Sequence, residues 1–228
     1  MKAVVVRHGF GPLKPGVERL VGECRFTLLY DGRVVTYTRS CRGNVLEAIV
    51  QGAELEVIPA PPVFAEPRLS NLISIALPKP IILGPGASAS IDSCIPIDIV
   101  VTAGEVIVDV VPVVRVKYSL YGEPDQGLIA RYVKLGECNG PSAALRIHFR
   151  NLASRSVVVR RVVFPAFMLD ICYSESGVDA GALSVIVTGF DAAAVQPVRV
   201  ERSGCKPAPK LLKAPVFERQ RFVMLYGL

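Results

Sequence analysis

The chain has 228 residues, of which 51% are hydrophobic, 20% charged and 7% aromatic, with a net charge of +6. At this size roughly 70% of the unfolded surface can be buried, so a substantial core is available and a disordered chain is excluded. A membrane-spanning helix is excluded as well, because Asp109, Pro112, Arg160 and Arg161 interrupt the longest apolar runs.

Valine leads the apolar residues, as in Val4-Val5-Val6, Val110-Val111 and Val157-Val158-Val159. Branching at Cβ stiffens χ1 and suits a pleated surface, so strands are favoured. In chain order, Glu23–Leu29 and Val34–Arg39 flank Asp31-Gly32, a strong hairpin signal. Asn44-Val45-Leu46-Glu47 reads as a capping box opening one short helix to about Val50. Glu54–Ile58 follows as a strand, then the proline-rich connector Pro59–Pro67. Strands are expected at Leu69–Leu77, Ile81–Leu83, Ala87–Ile91 and Ile97–Thr102, with Gly and Pro between them. Glu105–Leu120 is a long strand that Pro112 must bend or divide. Past the turn-rich Tyr121–Gly127 come Leu128–Leu135, Leu145–Arg150, Val157–Phe164, Met168–Tyr173, Ala182–Thr188 and Val195–Glu201, with a last strand near Phe217–Leu225. The expected fold is an all-β antiparallel β-sandwich, jelly-roll or immunoglobulin-like, with at most one short helix. It is read as a single domain over 1–228, the alternative being two packed halves with a boundary near 121–142.

Six cysteines, Cys24, Cys41, Cys94, Cys138, Cys172 and Cys205, are dispersed without a C-x-x-C pair, which argues against a zinc site. They fit either small buried hydrophobes or disulfides, and Cys24 with Cys41 flanks the predicted hairpin. The start of the chain lacks the apolar run of a signal peptide, so the expected location is cytoplasmic.

Several segments carry a family resemblance: Tyr37-Thr38-Arg39, Pro59–Pro67, Leu77–Ile81 with Gly84-Pro85-Gly86, and Ile95-Pro96-Ile97-Asp98. Leu120–Pro124 with Gly127–Tyr132 adds the densest match. Together they resemble the archaeal family catalogued as domain of unknown function 432. The resemblance implies an archaeal origin, which suits the heat-adapted preference for Arg over Lys, and it implies no activity.

Histidine chemistry has little to work with, since only His8 and His148 exist. Alternation through Leu145–Arg150 sets His148 between Arg146 and Arg150 on a solvent face, a poor setting for a base or a metal ligand. Neither Gly84-Pro85-Gly86 nor Gly9-Phe10-Gly11-Pro12 matches a phosphate cradle. The best ligand-binding candidates are Tyr118, Tyr121, Glu123, Asp125, Arg131 and Tyr132, which gather acids, phenols and a cation around one loop. The best anion-binding candidates are Arg146, His148, Arg150, Arg160 and Arg161, one patch if Leu145–Arg150 pairs with Val157–Phe164. No aromatic side chains interleave with them, so nucleic acid is the weaker expectation. No catalytic residue, metal or cofactor is assigned. The expected function is non-enzymatic protein–protein contact, as a homo-oligomer or with a protein partner; binding of an anionic ligand or nucleic acid is the alternative.

Overall fold

A computed structural model of the chain describes residues 5–51, 54–121, 127–189, 193–199 and 202–210. Its strands are β1 (Val5–His8), β2 (Gly11–Leu13), β3 (Val17–Val21), β4 (Cys24–Tyr30), β5 (Val35–Cys41), β6 (Asn44–Val50) and β7 (Leu55–Ala60). Next are β8 (Leu72–Leu83), β9 (Ser88–Pro96), β10 (Asp98–Ala103), β11 (Val106–Val111), β12 (Tyr118–Tyr121) and β13 (Leu128–Lys134). The rest are β14 (Ser142–Asn151), β15 (Val157–Pro165), β16 (Cys172–Ser174), β17 (Gly177–Val187), β18 (Ala193–Val198) and β19 (Lys206–Pro207). A 3-10 turn at Ala166–Met168 is the only helical element among the described residues, and no helix there is long and apolar enough to cross a membrane. The fold is all-β, as the valine bias and turn spacing predict.

Four sheets form. The first runs β1-β3-β4-β5-β6, the second β11-β10-β7-β2, and the third β12-β13-β8-β15. The fourth runs β19-β16-β17-β14-β9, with β18 also on β17. Antiparallel pairing predominates, but β1–β3, β8–β13 and β14–β17 are parallel. The second sheet is apolar on both faces. Val57, Ile99 and Val101 pack with Phe26 and Tyr37 of the first sheet, while Ile58, Ala60 and Val100 face the larger core of Ile73, Ile75, Phe149, Phe164 and Leu183. Burial on both sides is why Ile99-Val100-Val101 reads as an unbroken apolar run instead of an alternating one.

The predicted helix at Asn44–Val50 is strand β6. Arg42 (φ 50) and Gly43 (φ 79) form a two-residue turn with both residues left-handed, the geometry that matches strand twist. β6 then pairs with β5 without a register shift, from Cys41↔Asn44 to Val35↔Val50. Leu46, Ala48 and Val50 alternate onto the core, a gain that one isolated helical turn could not match. Pro78 and Pro80 are tolerated inside β8 because the β15 ladder jumps from Ala76↔Arg161 to Ile81↔Val159, leaving both prolines unpaired. As expected, Glu105–Leu120 divides at Pro112, into β11 and β12. Of Met168–Tyr173 only the end is strand, and the predicted strand at Phe217–Leu225 lies outside the described residues.

All six cysteines are paired: Cys24–Cys41, Cys94–Cys138 and Cys172–Cys205. The first pair joins register partners of β4 and β5, with Cα atoms 4.2 Å apart.

Candidate functional site

Tyr118 and Arg131 are register partners on β12 and β13, so their side chains share a face. Arg131 is 1% exposed, with its guanidinium carbon 5.8 Å from the centre of the Tyr118 ring. Its Nη2 donates to the Val114 carbonyl at 3.4 Å, whereas Nε and Nη1 have no hydrogen-bond acceptor. Within electrostatic reach, at the start of β10, Asp98 is fully buried. Its Oδ2 accepts from the amides of Phe64 (3.0 Å) and Ala65 (3.2 Å), and its Oδ1 accepts from no group. Burial pushes the Asp98 carboxyl up to about 7, against the opposing pull of the two amides and of Arg131. Burial likewise lowers the pKa of Arg131.

The Tyr118 hydroxyl donates to the Pro67 carbonyl and accepts from the Leu69 amide at 3.2 Å. Asp98 and Tyr118 therefore grip the proline-rich connector at two points, Phe64–Ala65 and Pro67–Leu69. Segments that carried the family resemblance meet here: the connector, Asp98 and the strand holding Arg131. The connector also lines an open groove of about 490 Å³ opposite Ile107–Val110, where Arg68 lies 5.0 Å above the Phe64 ring. Asp98 and Arg131 are sealed from solvent, and the arrangement does the work of a structural clamp.

The other expected residues separate. Tyr132 is half-buried on the opposite face of β13, beside Ser74 of β8. Tyr121 ends β12, while Glu123 and Asp125 lie outside the described residues. Arg146, His148 and Arg150 do share one face of β14, but β14 pairs with β9 and β17, and β15 pairs with β8 in another sheet. Arg160 and Arg161 are consequently not on the patch that pairing of those two segments would have made. Facing Arg146 is Asp92, joined to it at 2.5 Å, and this contact holds the Asp92 carboxyl below the usual range. His148 Nδ1 meets Ser90 Oγ at 2.8 Å.

A second polar unit escaped the sequence reading. Asp109 Oδ2 accepts from the Tyr37 hydroxyl at 2.8 Å and from Arg39 Nε at 2.7 Å, joining the first and second sheets. The available signal was an acid embedded in Val106–Val111, facing Tyr37 and Arg39 two residues apart on one strand face.

The sheet edges differ sharply in protection. β1 has four residues, β2 has three and includes Pro12, and β19 is Lys206-Pro207. β12 is four residues long, β18 contains Pro197, and β15 carries Arg160, Arg161 and an irregular register. β9 carries the Cys94↔Gly136 bridge near its C-terminal end and the charged Asp92, and β11 is bulged and turns the Asp109 carboxylate inward. Each of these devices discourages another strand from adding. Among the described residues β6 has none of these: seven residues, no proline, no bulge, Glu47 as its one charge, and Val45 and Ile49 at 63% and 72% exposure.

The chain was also compared with known proteins. A model of the family described as protein of unknown function, DUF432, matches residues 9–225. No curated protein and no solved structure matches.

Proposed function

Because the chain belongs to the DUF432 family, whose description names no activity, we propose a function from its geometry: non-enzymatic protein–protein contact, made by adding an extended strand to β6. The observation that carries this reading is the β6 edge, which among the described residues is regular, free of proline, unpaired on its outer side and flanked by the exposed Val45 and Ile49. Which backbone groups are offered follows from the two-residue turn. In such a hairpin the flanking pair, Cys41 and Asn44, exchanges both hydrogen bonds. Asn44, Leu46, Ala48 and Val50 thus spend their amides and carbonyls on β5, and Val45, Glu47 and Ile49 direct theirs outward. Strand addition uses these main-chain groups for affinity and the alternating side chains for specificity. The Asp98 unit, by contrast, is sealed from solvent, and the Asp109 carboxylate is engaged by Tyr37 and Arg39, which leaves little for a substrate.

The test is fluorescence anisotropy of a labelled peptide with the sequence of Asn44–Val50 between solubilising lysines, titrated with the protein. Saturable binding is expected, and loss of binding in Glu47→Pro, since residue 47 then lacks the outward amide. No binding to the unmodified protein would sink the proposal.

A further inference from the structure

We infer that the Cys172–Cys205 disulfide is a thiol-exchange site: a dithiol reductant opens it by attack on Cys205, Cys172 departs as a thiolate held by Arg202, and the segment 203–210 is released from an apolar cleft that it walls. The inference is independent of strand addition at β6. An attacking thiolate meets a different setting at each of the three disulfides. Cys24 and Cys41 are both buried, so neither sulfur offers an approach. Cys138 is exposed, but the sulfur that would depart from it belongs to Cys94, buried opposite the apolar Ala144. In the third pair one end is open and the other is prepared. Cys205 is half-buried between the exposed Gly204 and Lys206, while Cys172 is buried and its Sγ accepts from Arg202 Nη1 at 3.2 Å.

Exchange is fastest where the attacked sulfur is accessible and the departing sulfur is stabilised as an anion. A thiolate of the dithiol forms a bond to Cys205 Sγ while the Cys172–Cys205 bond breaks, and the bonding pair leaves on Cys172 Sγ beside the guanidinium. The second thiol of the reductant loses its proton and attacks its own partner sulfur in the mixed disulfide, which closes the reductant's disulfide and releases Cys205. Two electrons pass from the dithiol to the protein; both its protons go to solvent, from which Cys205 takes one back. Arg202 is fixed for this role by Asp170 and by Asp179, the register partner of Cys172. Those carboxylates are 59% and 43% exposed and screened by water, whereas the Arg202 side chain is 15% exposed. The neighbouring cation, Lys206, is engaged by Glu56.

The disulfide is the covalent tie on a weakly held segment. β19 has two residues, paired as Cys172↔Pro207 and Tyr173↔Lys206, and Pro207 has no amide to give. The Ala208 amide donates to the Ile171 carbonyl at 2.9 Å, and the ion pairs of Arg202 and Lys206 add to it. Ala208 and Pro209 wall a cleft whose other side includes Pro59, Phe64, Leu169 and Ile171, so release of the segment bares apolar surface.

The experiment treats the folded full chain with rising dithiothreitol, quenches with iodoacetamide and maps the alkylated cysteines by peptide mass. Cys172 and Cys205 should be alkylated first, about tenfold or more faster than Cys94 and Cys138. With glutathione, a monothiol, the trapped intermediate should carry glutathione on Cys205 and the alkyl group on Cys172. Arg202→Gln should slow this opening about tenfold without changing the Cys94–Cys138 rate, and Arg202→Lys, which keeps the cation, should restore most of it. An Arg202 that merely fastens the segment predicts faster opening in Arg202→Gln, and that result overturns the inference. So does glutathione on Cys172, or a Cys94–Cys138 bond that opens first. If Arg202→Gln fails to fold, the order of opening and the glutathione position in the unmodified protein decide. Fluorescence of anilinonaphthalene sulfonate, a dye for apolar surface, should rise once Cys172–Cys205 alone is open; no rise overturns the release of the segment.

Discussion

Asp98 offers the sharpest physical test, because its carboxyl is fully buried and its pKa is raised to about 7 from an ordinary 3.8. Between those values the folded chain keeps a proton that the unfolded chain has released. Stability is therefore greatest in acid and falls as pH rises, at up to about 1.4 kcal/mol per pH unit. Across the interval from pH 4 to pH 7 the loss amounts to about 4 kcal/mol, a large part of a typical domain's stability. Asp98→Asn removes the titration and keeps an oxygen for the Phe64 and Ala65 amides. Its new NH2 group takes the place of Oδ1, which has no hydrogen-bond partner, and so leaves a buried donor unsatisfied, a pH-independent cost of about 1–3 kcal/mol. Urea unfolding of both proteins at half-unit steps from pH 4 to pH 7.5, disulfides intact, measures the difference. The native protein should lose stability relative to Asp98→Asn as pH rises, with the variant equal or superior near neutrality. A constant difference between them over this range would refute the reasoning.

Further expectations concern the polar and covalent ties. Asp109→Ala strands the buried Tyr37 hydroxyl and the Arg39 charge, and should cost about 3–5 kcal/mol by chemical denaturation, against about 1–2 for Tyr37→Phe; equal losses would contradict the shared-carboxylate geometry. Thiol titration of the unreduced, denatured protein should find no reactive sulfhydryl, since all six cysteines are paired. Replacing Cys94 and Cys138 by Ser opens a link between residues 44 apart and should lower stability by about 4 kcal/mol, measured as a denaturation midpoint. Arg146→Ala should leave the thermal midpoint where it is, because both it and Asp92 are more than half exposed and their pair is screened by water.

Much of the architecture is local and is legible in the residues. Period-two alternation, the Asp31-Gly32 hairpin and the division of a long strand at Pro112 each depend on a few adjacent groups. Asp31 Oδ1, for example, accepts from the Arg33 and Val34 amides within its own turn. Asn44–Val50 misled because a capping-box pattern and a strand share residues, and the turn at Arg42-Gly43 with core contacts for Leu46, Ala48 and Val50 decided between them. Tyr118 and Arg131 were identifiable as neighbours across one loop, but their buried partner Asp98 comes from a strand far back in the chain.

Sequence by itself determined the β class, most strand positions and the family, since these rest on composition and short-range pattern. Tertiary structure alone decided which strands are neighbours. It placed Arg146 and the pair Arg160 and Arg161 in different sheets, matched the three cysteine pairs, sealed Asp98 beside Arg131 and, among the described residues, left β6 without a partner on its outer side. The physical reason is that strand pairing is non-local: many partners satisfy the same backbone hydrogen bonds, and only simultaneous burial of every apolar face selects among them.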